Sequence, residues 1–252
     1  MRIDVVTLFP EMFDALNASI TGRAQKAGQL ELKTHNLRDW AINKHGQVDD
    51  VPFGGEAGMV LRPEPIKAAL DAITSQLGQR PRVLYPSAQG PLFTQETAKK
   101  WTKEQNLLII CGHYKGIDQR VCDAFVDEEF CLGDYVLTGG ELPAMVAIDT
   151  VARLLPGAIH DPSSAETDSF WLPHRLGWPV YTRPQVFEGA TVPEVLTSGH
   201  HEKIRKWRIL ESLKLTRKNR PDLFARLISQ SATQGLTKEE KDLLASEIQP
   251  EV

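Results

Sequence analysis

Three strand-like runs of this chain pass directly into glycine-bearing loops: "YPSAQG" (85–90), "CGHYKGID" (111–118) and "LGDYVLTGG" (132–140). That repeated junction limits the available folds more than any other feature. β-rich runs at 3–9, 30–35, 82–85, 107–111 and 129–132 alternate with helical patterns. The clearest helices are 63–78, with proline at its start and Gly78 at its end, and 94–104, opened by Thr94 as a cap. Such alternation predicts an α/β domain with a mostly parallel sheet covered by helices on both faces. Ligands of open sheets of this kind bind beyond the carboxyl ends of the strands, so the three loops are expected to meet at one pocket.

Composition narrows the classes further. With 252 residues, 41% of them hydrophobic, the chain has length for a sizeable core and an ordinary globular make-up. No apolar run approaches the roughly 18 residues of a membrane helix, so no membrane partner is expected. "MRIDVVTLFPEMF" interrupts its apolar stretch with Asp4 and Pro10, which suits a buried strand better than a signal peptide. The three cysteines, Cys111, Cys122 and Cys131, form no C-x-x-C pair and are odd in number. They point to reduced thiols, a cytoplasmic setting and no zinc site. A net charge of −4 carries no global signal for nucleic acid, so the distribution of charge matters more.

The texture changes after residue 157. The expected organisation is an α/β domain over 1–157, a flexible linker over 158–178 and a mostly helical domain over 179–252. Within the last, residues 198–221 hold eight Lys or Arg against two Glu. Ile204, Trp207, Leu210 and Leu213 recur at steps of three and mark the expected core face. Lys203, Arg205, Lys206 and Arg208 are left for the other faces, just after Ser198, Gly199 and His200. They form either a solvated charged surface or a footprint for a phosphate backbone. His200 and His201 are adjacent and project about 100° apart on a helix, so no metal site is expected. Their place at a helix start fits an anion held by exposed N–H groups.

Taken together, "GDYVLTGGELPAM", "CGHYKGID", "PFGGEAGM" (52–59), "YTRP" (181–184) and "SGHHEKIRKWR" resemble the bacterial TrmD family, the tRNA (guanine-N1)-methyltransferases. The similarity runs in family order over nearly the whole chain and is weaker in 158–178 and the last twenty residues. It implies a homodimer of the SPOUT class whose N-terminal domain contains a deep trefoil knot. It also implies transfer of a methyl group from S-adenosylmethionine to N1 of guanine at tRNA position 37, with the C-terminal domain helping to hold the tRNA. For the cofactor, the resemblance implies Tyr85, Ser87, Gln89 and Gly90 in the first loop and Gly112, Tyr114 and Gly116 in the second. The third loop would contribute Cys131, Leu132, Gly133, Tyr135, Leu137, Gly139, Gly140 and Pro143. The loops lack a dinucleotide fingerprint or a P-loop, and a sulfonium cofactor without phosphate needs neither.

Guanine N1 carries a proton, so its methylation calls for a general base there and a cationic or hydrogen-bonding group at O6. By resemblance Asp168 is the base and Arg153 its electrophilic partner. A free aspartate is a weak base, so ordering over the substrate would have to strengthen it. Three positions depart from the family pattern: His113 and Lys115 stand where Arg and Glu are common, and Gly177 where Asp is often found. Those changes leave a Mg²⁺ requirement open and suggest that Lys115 steadies O6 or a phosphate. Gly54, Gly55 and Glu56 are weaker candidates near the guanine. Three alternatives remain open: an RNA-binding protein without catalysis, a nucleotide-dependent oxidoreductase, and a knotted methyltransferase acting on a ribose 2′-OH or another base.

Overall fold

Strand β1 (Arg2–Thr7) is buried over five of its six residues and lies inside the main sheet. The computed structural model describes residues 1–159, 161, 165–229 and 235–248, which fall in two compact units, Met1–Pro162 and Ser163–Val252. In the first unit β1 is followed by a 3-10 segment (Pro10–Asn17), α1 (Ser19–Lys26) and β2 (Glu31–Asn36). The short antiparallel pair β3 (Asp49–Asp50) and β4 (Val60–Leu61) brackets the 51–59 loop. Then come α2 (Pro63–Leu77), β5 (Arg82–Pro86), α3 (Gln95–Trp101), β6 (Asn106–Ile110), α4 (Gln119–Phe125), β7 (Glu128–Phe130) and α5 (Glu141–Ala152).

Five strands form one all-parallel sheet in the order β2-β1-β6-β5-β7. Each of the five expected strands is present, with ends shifted by a few residues. Ile3, Val5, Leu84, Leu107 and Ile109 pack on one face with Trp101 of α3 and Ala144, Ile148 and Val151 of α5. Val6, Val83, Leu108 and Ile110 pack on the other with Ile66, Leu70 and Ile73 of α2 and Val121 of α4. A sheet covered on both faces has no polar side to present at its centre, which is why β1, β5 and β6 read as mostly apolar runs while the edge strand β2 is polar. Helix α2 closes on Gly78 at φ +68, and Thr94 Oγ1 accepts from the Thr97 amide at 3.2 Å to open α3.

Asp4 is the exception inside β1. Its carboxylate is fully buried, with Arg2 Nε at 2.8 Å, Arg2 Nη2 at 2.9 Å and His35 Nε2 of β2 at 2.7 Å. Burial alone would raise its pKa. The hydrogen bonds from His35 and Arg2 outweigh that cost and hold it below the ordinary carboxylate value.

The second unit contains the hairpin β8 (Val186–Phe187) and β9 (Ala190–Thr191), then α6 (Glu194–Thr197), α7 (His201–Asn219), α8 (Pro221–Ser229) and α9 (Lys238–Ile248). Its core gathers Leu213, Leu227 and Leu236 with Ile209, Phe224 and Leu244 against them. The buried face of α7 is therefore not the expected apolar series. Ser212, Leu213 and Thr216 are the buried positions, while Ile204, Trp207 and Leu210 are only half-buried. The reason is a backbone segment laid across the helix: Ser212 Oγ donates to the Leu176 carbonyl at 2.5 Å, and the Leu176 amide donates to Thr216 Oγ1 at 3.0 Å. Arg175 next to it forks onto Glu240. Glu240 also accepts from the Thr237 amide at 2.8 Å while Thr237 Oγ1 accepts from the Glu240 amide at 3.3 Å, a reciprocal cap for α9. Residues 160 and 162–164 of the expected linker lie outside the described residues.

Asp4→Asn leaves Arg2 and His35 without their anion and is expected to cost about 3 kcal/mol at pH 7. A carboxyl whose pKa falls on folding contributes stability above its unfolded value, about 3.9, and loses it as pH drops through the folded value. The gap between wild type and Asp4→Asn in urea denaturation should therefore shrink below about pH 4. A gap of equal size at pH 3 and pH 7 would contradict this account.

Candidate active site

The order β6-β5-β7 makes the three glycine loops neighbours, since each leaves the carboxyl end of one of those strands. Together they line a cavity of about 270 Å³. The first loop turns tightly: the Ser87 amide donates to the Phe130 carbonyl at 2.9 Å and the Gln89 amide to Ser87 Oγ at 3.1 Å. In the second, Tyr114 holds a left-handed backbone at φ +59, a conformation that costs a non-glycine residue energy and clusters at functional sites. Gly116 follows at φ +114, where a side chain would be strained. The third loop begins with Cys131, whose Sγ accepts from the Gly133 amide at 3.3 Å.

Tyr85, Ser87, Gln89, Gly112, Tyr114 and Gly116 all line this cavity, as do Cys131, Leu132, Gly133, Tyr135, Leu137, Gly139, Gly140 and Pro143. Gly90 does not. A Cβ there would sit 2.5 Å from the Phe130 nitrogen, so Gly90 is required for packing on β7 and not for facing the cavity. Burial pushes the Tyr85 phenol up to about 12, which keeps it neutral. The second and third loops touch backbone to backbone: the Gly140 amide donates to the Gly112 carbonyl at 2.8 Å. A Cβ on Gly140 would come within 2.9 Å of both the Cys111 Cα and the Gly112 nitrogen.

Several lining residues were not singled out for the pocket by sequence, among them Gln119, Cys122, Glu129 and Thr138. Thr138 lies within the third quoted motif, whereas Gln119 and Cys122 come from the start of α4, where nothing in the pattern marked them. Lys115 also lines the cavity, and its Nζ lies 3.5 Å from Glu56 Oε2. The 52–59 loop thus lies against the second loop, a placement supported by the Lys115 amide donating to the Met59 carbonyl at 3.0 Å.

The remaining candidates lie elsewhere. Arg153 caps the carboxyl end of α5 in the first unit. Asp168 belongs to the second unit and is exposed, with its amide donating to the Ala165 carbonyl at 3.3 Å. Ser198 caps α6, Gly199 turns at φ +72 and His200 opens α7. The cations of α7 differ in their freedom. Arg205 is held by Glu202 at 2.8 Å and Glu239 at 2.5 Å, and Lys206 lies 3.7 Å from Glu202. Lys203 and Arg208 have no carboxylate partner among the described residues, and Arg208 lies 5.2 Å over the Trp178 ring.

The model of the family described as "tRNA (Guanine-1)-methyltransferase TrmD" matches residues 1–226. The chain belongs to that family. Among curated relatives, the tRNA (guanine-N(1)-)-methyltransferase of Lachnospira eligens is 50% identical over 91% of this chain and 98% of its own. That of Clostridium novyi is 47% identical over 97% of each chain, and that of Desulforamulus reducens 49% identical over 97% of this chain and 94% of its own. A TrmD methyltransferase has no use for a dinucleotide, so the oxidoreductase alternative is set aside. The helices of the described residues include none long and apolar enough to cross a membrane.

In a TrmD chain the junction of the second and third loops should tolerate no added atom. Gly140→Ala is expected to cost about 1–3 kcal/mol by forcing backbone apart, read as a lowered urea midpoint. An unchanged midpoint would show that the loops adjust freely.

Proposed function

We propose that the cavity holds S-adenosylmethionine and that the chain, as a cytoplasmic homodimer, methylates N1 of guanine at position 37 of tRNA. The observation that carries this reading is the convergence of three glycine loops on one cavity in a chain of the TrmD family. The cavity fits the cofactor. Its walls offer close-packed main-chain groups and a neutral Tyr85 to a flat base and a ribose, and the glycines let the loops pack closely enough to present them. When bound, the cofactor supplies an activated methyl group.

The chain's own residues then manage the guanine. Asp168 takes the N1 proton, and burial beneath the RNA strengthens it as a base. Arg153 donates to O6, where negative charge develops. Helix α5 begins at the cavity wall and ends at Arg153; twelve residues at about 1.5 Å each separate the two by roughly 18 Å. That length favours a homodimer in which Arg153 serves the cavity of a second copy. Leu142 and Val146, one turn apart on α5, are exposed together with Tyr135 and Val136, an apolar surface suited to such a partner. Lys115 brings a cation to the cavity rim where the family pattern often has a carboxylate, so less negative charge is offered there to Mg²⁺. No step is assigned to a metal.

Labelled S-adenosylmethionine should mark a tRNA transcript with guanine at position 37 and not one changed there. Asp168→Ala should lower kcat by about a hundred-fold or more. Equal labelling of both transcripts would overturn the site specificity, and an undiminished Asp168→Ala rate would overturn the base. For tRNA grip, Lys203→Ala should reduce the slope of log affinity against log salt by about 1. Arg205→Ala should change that slope less, because its charge is already met by Glu202 and Glu239. The reverse order would argue against the unpaired cations as the phosphate contacts.

A further inference from the structure

A chain of buried polar groups lies behind the junction of the second and third loops. Glu141, the first residue of α5, is 1% exposed. Thr7 at the end of β1 donates its hydroxyl to Glu141 Oε1 at 2.7 Å, and His113 Nε2 lies 3.0 Å from Oε2. Toward an ionised Glu141, which only accepts, His113 Nε2 is the donor. The Phe9 amide closes the far end by donating to Thr7 Oγ1 at 2.9 Å. The His113 ring is itself confined, with the Phe9 ring centroid at 5.0 Å and that of Tyr114 at 5.9 Å.

Three separate pieces of chain therefore meet on one carboxylate: the end of β1, the loop after β6 and the start of α5. Burying a carboxylate is costly unless both oxygens are satisfied, and here each oxygen has its own donor. The same place is where the two loops pair through main chain, by the Gly140–Gly112 bond and an antiparallel bridge between His113 and Gly139. A Cβ at Gly139 would strike both His113 Nε2 and Glu141 Oε2, so the glycine is what lets the side-chain pair form behind the loop. Of the three side chains, only His113 also reaches the cavity lining.

We propose that His113 is a positioning residue: by holding Glu141, which Thr7 holds from the other side, it sets the spacing of the second and third loops and hence the affinity for the cofactor. This rests on the reading of the cavity as an S-adenosylmethionine pocket. His113 acts through the loops and does not touch the methyl group or the guanine. Its loss leaves Glu141 Oε2 without a donor beside the cavity, and the loops lose the side-chain half of their junction. Glutamine at 113 can present an amide N–H to the same oxygen, whereas alanine cannot.

The test measures S-adenosylmethionine binding by calorimetry, steady-state methyl transfer to tRNA and thermal unfolding for wild type, His113→Ala, His113→Gln and Thr7→Val. His113→Ala should raise both Kd and KM for S-adenosylmethionine about ten-fold, the size of a lost charge-assisted hydrogen bond. Its kcat and its KM for tRNA should stay within about three-fold of wild type, and His113→Gln should recover most of the affinity. Thr7→Val, outside the cavity, should weaken cofactor binding in the same direction. Unchanged cofactor affinity in folded His113→Ala or Thr7→Val overturns the proposal. So does loss of folding in both, or a fall in kcat with KM unmoved. Failure of the wild type itself to bind S-adenosylmethionine would instead defeat the reading of the cavity.

Discussion

The hydrogen bond from the Gly140 amide to the Gly112 carbonyl joins two loops that leave different strands, and much of the cavity depends on it. It can form only because Gly140 carries no side chain at the point of approach; a Cβ there would meet the backbone of Cys111 and Gly112 at 2.9 Å. From that contact α5 departs, carrying Leu142 and Val146 outward and Ala144, Ile148 and Val151 into the core. The helix thus has two duties: its start shapes the cavity and its body seals one face of the sheet. Parallel strands make this possible, because every βα loop of the sheet emerges on the same edge.

Much of this was legible in sequence, and the reasons are physical. Strands buried on both faces do not alternate apolar with polar residues, so 3–9, 82–85 and 107–111 stood out as mostly apolar runs. The loops after 82–85, 107–111 and 129–132 carried glycines at the right end for a ligand site. What was not legible rests on partners distant in sequence. The burial of Ser212 and Thr216 could not be read locally, because nothing nearby marks the Leu176 backbone that they bind, about forty residues earlier. The burial of Glu141 was not legible either, since its partner Thr7 comes from the opposite end of the domain. The hairpin of β8 and β9 was hidden because each strand has two residues, too short for any period to show.

Buried acids recur as organising points in both units, and each is met by groups from more than one place in the chain. Asp4 receives Arg2 from its own strand and His35 from the next. Glu141 receives Thr7 and His113, and Glu240 receives Arg175 and the Thr237 amide. Each such carboxylate is expensive to leave half-satisfied, so it penalises any arrangement that brings only one partner into place. The exposed cations of α7 follow another logic. Where a carboxylate lies within reach, as for Arg205, the charge is consumed locally; Lys203 and Arg208 have no carboxylate partner among the described residues.

The clamp on Leu176 has a mechanical consequence. Its amide and carbonyl are both held by α7, and the chain before it folds back on itself through Ser169 Oγ, which accepts from the Gly177 amide at 2.8 Å, and Phe170, whose amide donates to the Arg175 carbonyl at 2.7 Å. Asp168 stands at the neck of that closed loop. A displacement of α7 would draw Leu176 with it and, through this closed loop, act on Asp168. On the proposed reading, in which Lys203 and Arg208 meet the phosphates and Asp168 is the base, gripping the RNA and moving the base would be a single event.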